Sequence, residues 1–114
     1  MRYINPEHYH VKVRVYNEEI NFGKGVAELL RRIDETGSLS AAYKAMGMSS
    51  SKAWKILRRA ETDLGFSLVS GTAGGRSGGG TVLTEEGHEL LLRYTAFNAE
   101  LQKAAAQAFC KYFK

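Results

Sequence analysis

The residues best suited to chemistry in this chain are hydrogen-bond donors gathered between positions 49 and 59. They are three serines and four cations: Ser49, Ser50, Ser51, Lys52, Lys55, Arg58 and Arg59. Such side chains donate to phosphate oxygens and to base edges, and an arginine can form two parallel hydrogen bonds with guanine. The set predicts binding to double-stranded DNA, with Arg58 as the candidate reader of guanine and the other donors on phosphates and groove edges.

Positive charge is concentrated in two parts of the chain. Residues 36–60 hold five cations and no Asp or Glu, and Arg76 is the only charged residue in 65–84. Because the whole chain carries a formal charge of +4, the remainder must sum to −2. This distribution is typical of a nucleic-acid binder, although a solvated basic surface without a partner would look the same.

Other kinds of chemistry find little support. The histidines His8, His10 and His88 have no accompanying cluster of acids or cysteines, so we predict no metal site. Cys110 is the only cysteine and cannot form an intrachain disulfide, and no nucleophile with a base and an orienting partner is evident. We therefore expect no catalysis, no cofactor and no small-molecule ligand.

A glycine-rich stretch spans residues 71–80 and contains Arg76. The phosphate-binding loop of a nucleotide enzyme would lead into a lysine and a helix, whereas this stretch leads into the strand-like Thr81–Leu83. Together with Phe66, Leu68 and Val69, the pattern predicts a hairpin over about residues 66–83. In such a wing Arg76 could enter the minor groove; a disordered linker and, more remotely, an enzyme loop are the alternatives.

Helical spacing of apolar residues predicts the elements that position the donors. A first helix is expected over residues 23–36, and a second, of about two turns, starts at Ser38 or Ser40 and stops at Gly47. A third starts at the serines and buries Ala53, Ile56, Leu57, Ala60 and Leu64. This is a helix-turn-helix over about residues 38–64, with a basic outer face. Trp54 lies at the border of that face, where we expect it to pack against a neighbouring helix or the hairpin; the alternative is that it stacks or wedges at DNA.

The two ends of the chain show different patterns. Residues 11–16 alternate apolar and polar side chains and predict a strand, whereas Thr84 and two glutamates predict the start of a helix over about residues 85–112. In that helix the apolar residues recur in steps of four and three, as in a coiled-coil seam: Leu90, Tyr94, Phe97, Leu101, Ala104 and Ala108. A small domain cannot cover so long a stripe, so we expect a homodimer interface.

The length of 114 residues and the apolar content of 44% fit a single domain over residues 1–114. Apolar runs are too short to cross a bilayer or to act as a secretory signal, so we expect a soluble, cytoplasmic protein without a membrane partner. The predicted fold class is α+β: a winged helix-turn-helix in the order strand, three helices, hairpin and long last helix.

Short motifs between about residues 20 and 95 form a distinctive combination. They are TGSLSAA at 36–42, Met48-Ser49, Ala53-Trp54, Leu64-Gly65, and the glycines of 74–80 leading to Leu83-Thr84. With them the chain resembles the N-terminal domain of the molybdate-responsive ModE regulators and, more broadly, LysR-type winged helices. The resemblance implies a bacterial, homodimeric transcriptional regulator that pairs through its first and last helices. The recognition helix at 49–59 and the wing at 74–80 would read a palindromic operator.

Two further expectations concern the effector domain and the function of this chain. Full-length ModE regulators carry C-terminal molybdate-binding domains, and because this chain stops after its long helix, we predict neither an effector domain nor an oxyanion site. The predicted function is a sequence-specific, double-stranded DNA-binding transcriptional regulator. The alternative is a winged-helix module that binds another protein through its wing and last helix, but the charge distribution favours DNA.

Overall fold

Four helices and one antiparallel hairpin form the computed structural model, which describes residues 4–71 and 80–113. In chain order the elements are α1 (Lys24–Thr36), α2 (Leu39–Ala45), α3 (Ser50–Leu64), β1 (Val69–Gly71), β2 (Thr81–Leu83) and α4 (Glu85–Phe113). The helix-turn-helix, the hairpin strands and the last helix are confirmed. None of the helices in these two ranges is long and apolar enough to cross a membrane.

Local signals in the sequence set the ends of the first three helices. The Ser38 side chain accepts a hydrogen bond from the Ala41 N–H at 3.0 Å, so Ser38 rather than Ser40 is the N-cap of α2. Gly37 ends α1 in the left-handed region at φ +69°, where a side chain would be strained. α1 and α2 are therefore separated by a sharp change of direction.

The core lies where α1, α2, α3 and the hairpin meet the first turns of α4. Its largest fully buried side chains come from several elements and their connections: Phe22, Leu29, Leu30, Ile33, Leu57 and Leu68. α3 contributes Ala53, Leu57 and Ala60, while Ile56 and Leu64 are partly buried against the cluster. The apolar face of α3 is the one that the sequence predicts.

The predicted N-terminal strand is not formed. Within the described residues, Val15 and Phe22 make an isolated β-bridge, and the rest of residues 11–16 pairs with no strand. The segment runs along α4 instead: the Tyr94 hydroxyl donates to the Val13 carbonyl at 2.8 Å, and Gln102 Nε2 donates to the Val11 carbonyl at 2.9 Å. Side chains of α4 thus replace the ladder that a neighbouring strand would supply.

The C-terminal end of α3 is tied to the N-terminal segment by one carboxylate. Asp63 accepts hydrogen bonds from the backbone N–H groups of Asn17, Glu18 and Glu19 at 2.7, 2.8 and 2.9 Å, and from the Asn21 side chain at 2.8 Å. These bonds, the one from Asn17 first, lower the pKa of Asp63 to about 2 because they stabilise the ionised form. Asp63 therefore fixes one end of α3 on the body of the domain.

Candidate nucleic-acid interface

A tyrosine and a glycine position the start of α3 relative to α2. Gly47 has φ +67°, and the Met48 N–H donates to the Tyr43 carbonyl at 2.9 Å, so the chain reverses within a short turn. Side-chain hydrogen bonds with Ser40 and then Ser50 lower the pKa of Tyr43. The backbone bond between Met48 and Tyr43 holds the start of α3 close to the end of α2.

The seven donors predicted between positions 49 and 59 are all exposed. Ser49 is the N-cap of α3: its hydroxyl oxygen accepts from the Lys52 N–H at 3.1 Å. Lys52 lies in the first turn, which holds no acidic residue, and there the helix dipole disfavours a cation by up to about 1 kcal/mol. A nearby phosphate would offset that cost.

The basic residues of α3 differ in whether they form an ion pair. Lys52, Lys55 and Arg58 make no ion pair with any carboxylate in residues 4–71 and 80–113. Arg59, in contrast, lies 3.2 Å from Glu19, in a pair whose two side chains are 54% and 65% exposed. Exposed pairs contribute little to stability, so Glu19 does not lock Arg59, but it competes with phosphate for this side chain.

Trp54 is neither part of the buried core nor among the partly buried residues that pack against it. It remains 39% exposed on α3. The Arg58 guanidinium carbon lies 5.1 Å from the centroid of the Trp54 ring, in a cation–π contact one helical turn away. The donor-rich surface therefore also contains a large aromatic side chain.

The hairpin is anchored on both sides of its base. Val69, Ser70 and Gly71 pair with Leu83, Val82 and Thr81. Glu61, in the last turns of α3, accepts from the N–H groups of Leu68 and Val69 at 2.8 and 3.4 Å, and the Thr81 N–H donates to the Gly37 carbonyl at 2.9 Å. These bonds fix the direction in which the hairpin leaves the domain. Arg76 lies outside the described residues.

Sequence reasoning missed the parts that Glu61 and Asp63 play, although a signal was present. Two carboxylates near the C-terminal end of a helix are disfavoured by its dipole, so they need compensating donors. Here Glu61 accepts hydrogen bonds from the N–H groups of Leu68 and Val69, and Asp63 accepts them from the N–H groups of residues 17–19. Both acids therefore help to position α3.

Only part of the apolar stripe of α4 is exposed and able to form the predicted dimer interface. Tyr94 is 4% exposed and its ring packs against Phe22 with centroids 5.2 Å apart; this burial raises its pKa. Leu90 is also partly buried against the core. Tyr94 therefore holds the domain together and is not free for the predicted interface, because α4 crosses the core in its first turns. Farther along, Phe97 is 48% exposed, Leu101 is 36% exposed, and Ala104 and Ala108 are exposed.

The histidines are scattered in the structure as in the sequence. His88 lies 3.9 Å from Asp34, and His8 lies 4.0 Å from Glu7, with side chains more than half exposed. Among the described residues, no three His, Cys, Asp or Glu side chains group closely enough to hold a metal ion.

A helix-turn-helix followed by an antiparallel hairpin is the winged helix-turn-helix, a class of nucleic-acid-binding domain. Residues 27–88 match the family described as bacterial regulatory helix-turn-helix protein, lysR family. The chain therefore belongs to this family of DNA-binding transcriptional regulators.

Curated relatives confirm the resemblance to ModE proteins. The chain is 39% identical over 75 residues to the molybdenum-pterin-binding protein MopB of Rhodobacter capsulatus, covering 66% of this chain and 28% of that protein. It is 37% identical over 76 residues to the molybdenum transport protein ModE of Azotobacter vinelandii (67% and 28%). It is 36% identical over 76 residues to the DNA-binding transcriptional dual regulator ModE of Escherichia coli K12 (67% and 29%). The match thus covers less than a third of each relative.

Proposed function

We propose that this chain binds double-stranded DNA in a sequence-specific manner and regulates transcription, with α3 placed in the major groove. One observation carries the proposal: the outer face of α3 presents Lys52, Lys55 and Arg58 to solvent without a carboxylate partner among the described residues. The major groove of B-DNA admits one α-helix, and these side chains donate to phosphates and base edges. A regulator of bacterial chromosomal DNA works in the cytoplasm, which we propose as its location.

The hairpin would make a second contact with the DNA, in the minor groove. Its base is bonded to α3 through Glu61 and to the end of α1 through Gly37, so its direction is fixed relative to the recognition helix. A hairpin that leaves the domain beside the recognition helix can reach the flanking minor groove, where a narrow groove attracts arginine. We assign Arg76 to this contact.

Binding to DNA should depend steeply on salt, because cations on the protein displace counterions from phosphates. For six or more contacts, affinity should fall by about 10³-fold or more between about 50 and 200 mM salt. Fluorescence anisotropy with labelled genomic duplexes across a salt series measures this slope. Affinity that does not change with salt would exclude the basic face of α3 as a phosphate-binding surface.

We further propose that the protein acts as a homodimer through the distal part of α4. This helix has 29 residues and is about 44 Å long at ~1.5 Å per residue, but Gly87, Leu91 and Tyr94, all in its first three turns, are its buried residues. The exposed Phe97 and Leu101 continue the apolar stripe beyond the body of the domain. Two recognition helices about 34 Å apart would then address half-sites one turn of duplex apart.

Replacing Phe97 and Leu101 together with glutamate should convert a dimer into a monomer, because the substitution places charge in an apolar interface. Sedimentation velocity at micromolar concentration distinguishes the two states. Ala99→Glu is the matched control, since Ala99 is exposed on another side of α4 and should leave the dimer intact. A wild-type chain that sediments as a monomer, or a doubly substituted chain that remains a dimer, would contradict this interface.

A further inference from the structure

The exposed tryptophan of α3 is unusual in its surroundings. Trp54 is the only tryptophan of the chain, and it lies 39% exposed beside serines, lysines and arginines. Tryptophan is highly buried on average although rarely completely so, and its large apolar area makes it a favourable contact for a partner. On a face proposed to meet DNA, that partner would be a part of the major groove.

The guanidinium group of Arg58 makes a cation–π contact with the ring of Trp54 in the absence of DNA. The two side chains are four residues apart, so they are neighbours on the helix surface, and the guanidinium lies 5.1 Å from the ring centroid. No carboxylate among the described residues competes for Arg58. A ring that restricts the arginine before binding lowers the conformational entropy lost when the arginine bonds to a base.

We propose that Trp54 and Arg58 act as one specificity-determining unit, in which Arg58 bonds to a guanine while the exposed edge of Trp54 covers the methyl group of a nearby thymine. Arginine pairs with O6 and N7 of guanine, and the thymine methyl is the apolar group that the major groove displays. Side chains one helical turn apart have Cβ atoms about 5–6 Å apart, and bases rise by about 3.4 Å, so the thymine lies within two base pairs of the guanine. This inference rests on the proposed function.

The test uses the whole chain and a duplex that it enriches from a random pool. Replacing one thymine at a time with uracil removes only the methyl group, and 7-deazaguanine removes one acceptor for Arg58. One thymine within two base pairs of a critical guanine should be sensitive, with wild-type affinity falling about three- to fivefold on uracil substitution. For Trp54→Ala the same substitution should have no effect, because the contact is already gone.

Two further readouts separate recognition from folding. Trp54→Ala should bind the unmodified duplex about tenfold more weakly, whereas Ser51→Ala, an exposed change on the same helix, should lose less. Since Trp54 is the only tryptophan, its fluorescence should change when the wild-type chain binds the duplex. The uracil series on the wild type needs no variant, so it tests the proposal even if Trp54→Ala folds poorly.

The possible results are distinct. If no uracil substitution weakens DNA binding by the wild type, or if the sensitive thymine remains sensitive in Trp54→Ala, the proposed specificity-determining unit is wrong. The proposal that the chain binds DNA is then unaffected. If the pool yields no enriched duplex and binding does not respond to salt, the proposed function itself fails. A sensitive thymine that becomes insensitive only when Trp54 is replaced supports the unit.

Discussion

A chain in which Lys55 and Arg58 are both replaced by alanine should bind its DNA about a hundredfold more weakly than the wild type and unfold at nearly the same temperature. A bidentate contact between arginine and guanine accounts for about 1–3 kcal/mol of discrimination, and each lost phosphate contact weakens binding further. Both side chains are exposed, and alanine is the strongest helix former, so α3 should remain intact. Anisotropy titration and thermal unfolding measure the two quantities.

The control for this pair removes the same charge elsewhere. Lys12 and Lys103 are exposed, remote in sequence from α3 and outside the apolar stripe of α4. Replacing both with alanine should lower affinity only slightly and for all sequences alike, through the reduced net charge. Equal losses in the two variants would mean that total charge, not the face of α3, determines binding. Unchanged affinity on loss of Lys55 and Arg58 would place the interface on another surface.

The recognition helix could be predicted from sequence because its determinants are local. Serine caps, glycines with positive φ and apolar residues at helical spacing all lie within about a turn of the feature that they specify. Gly37, Gly47 and Gly65 take the left-handed conformation that ends or separates the helices. Hence the bounds of α1, α2 and α3 fall within a residue or two of the prediction.

Features that depend on distant contacts could not be predicted in this way. The Tyr94 hydroxyl bonds to a carbonyl 81 positions away, and Gln102 to one 91 positions away, so nothing near residues 11–16 indicates that α4 will replace a strand partner. For the same reason the coiled-coil spacing assigned Tyr94 to a dimer interface. A periodic stripe shows which side of a helix is apolar, but not which part of that side the domain's own core will cover.

A second large effect is expected at the base of the hairpin, where α4 passes the backbone of Leu68, the residue before β1. A Cβ added at Gly87 would lie 2.2 Å from the Leu68 carbonyl oxygen, a backbone atom that cannot move aside alone. Leu68 is fully buried, and its carbonyl also accepts the Thr84 N–H at 3.0 Å. Gly87→Ala should therefore destabilise the fold by about 1–3 kcal/mol, the usual range for overpacking, and lower Tm by at least about 4 °C.

The sign of this effect separates packing from helix propensity. Alanine is favoured over glycine within a helix by about 1 kcal/mol, so propensity alone predicts that Gly87→Ala stabilises α4. Gly25 in α1 provides the control, because a Cβ there meets nothing within 4 Å and Gly25→Ala should raise the urea midpoint. If both variants are stabilised, the close approach of α4 to Leu68 is not required. Opposite signs would show that this approach, which sets the hairpin on the domain, demands a residue without a side chain.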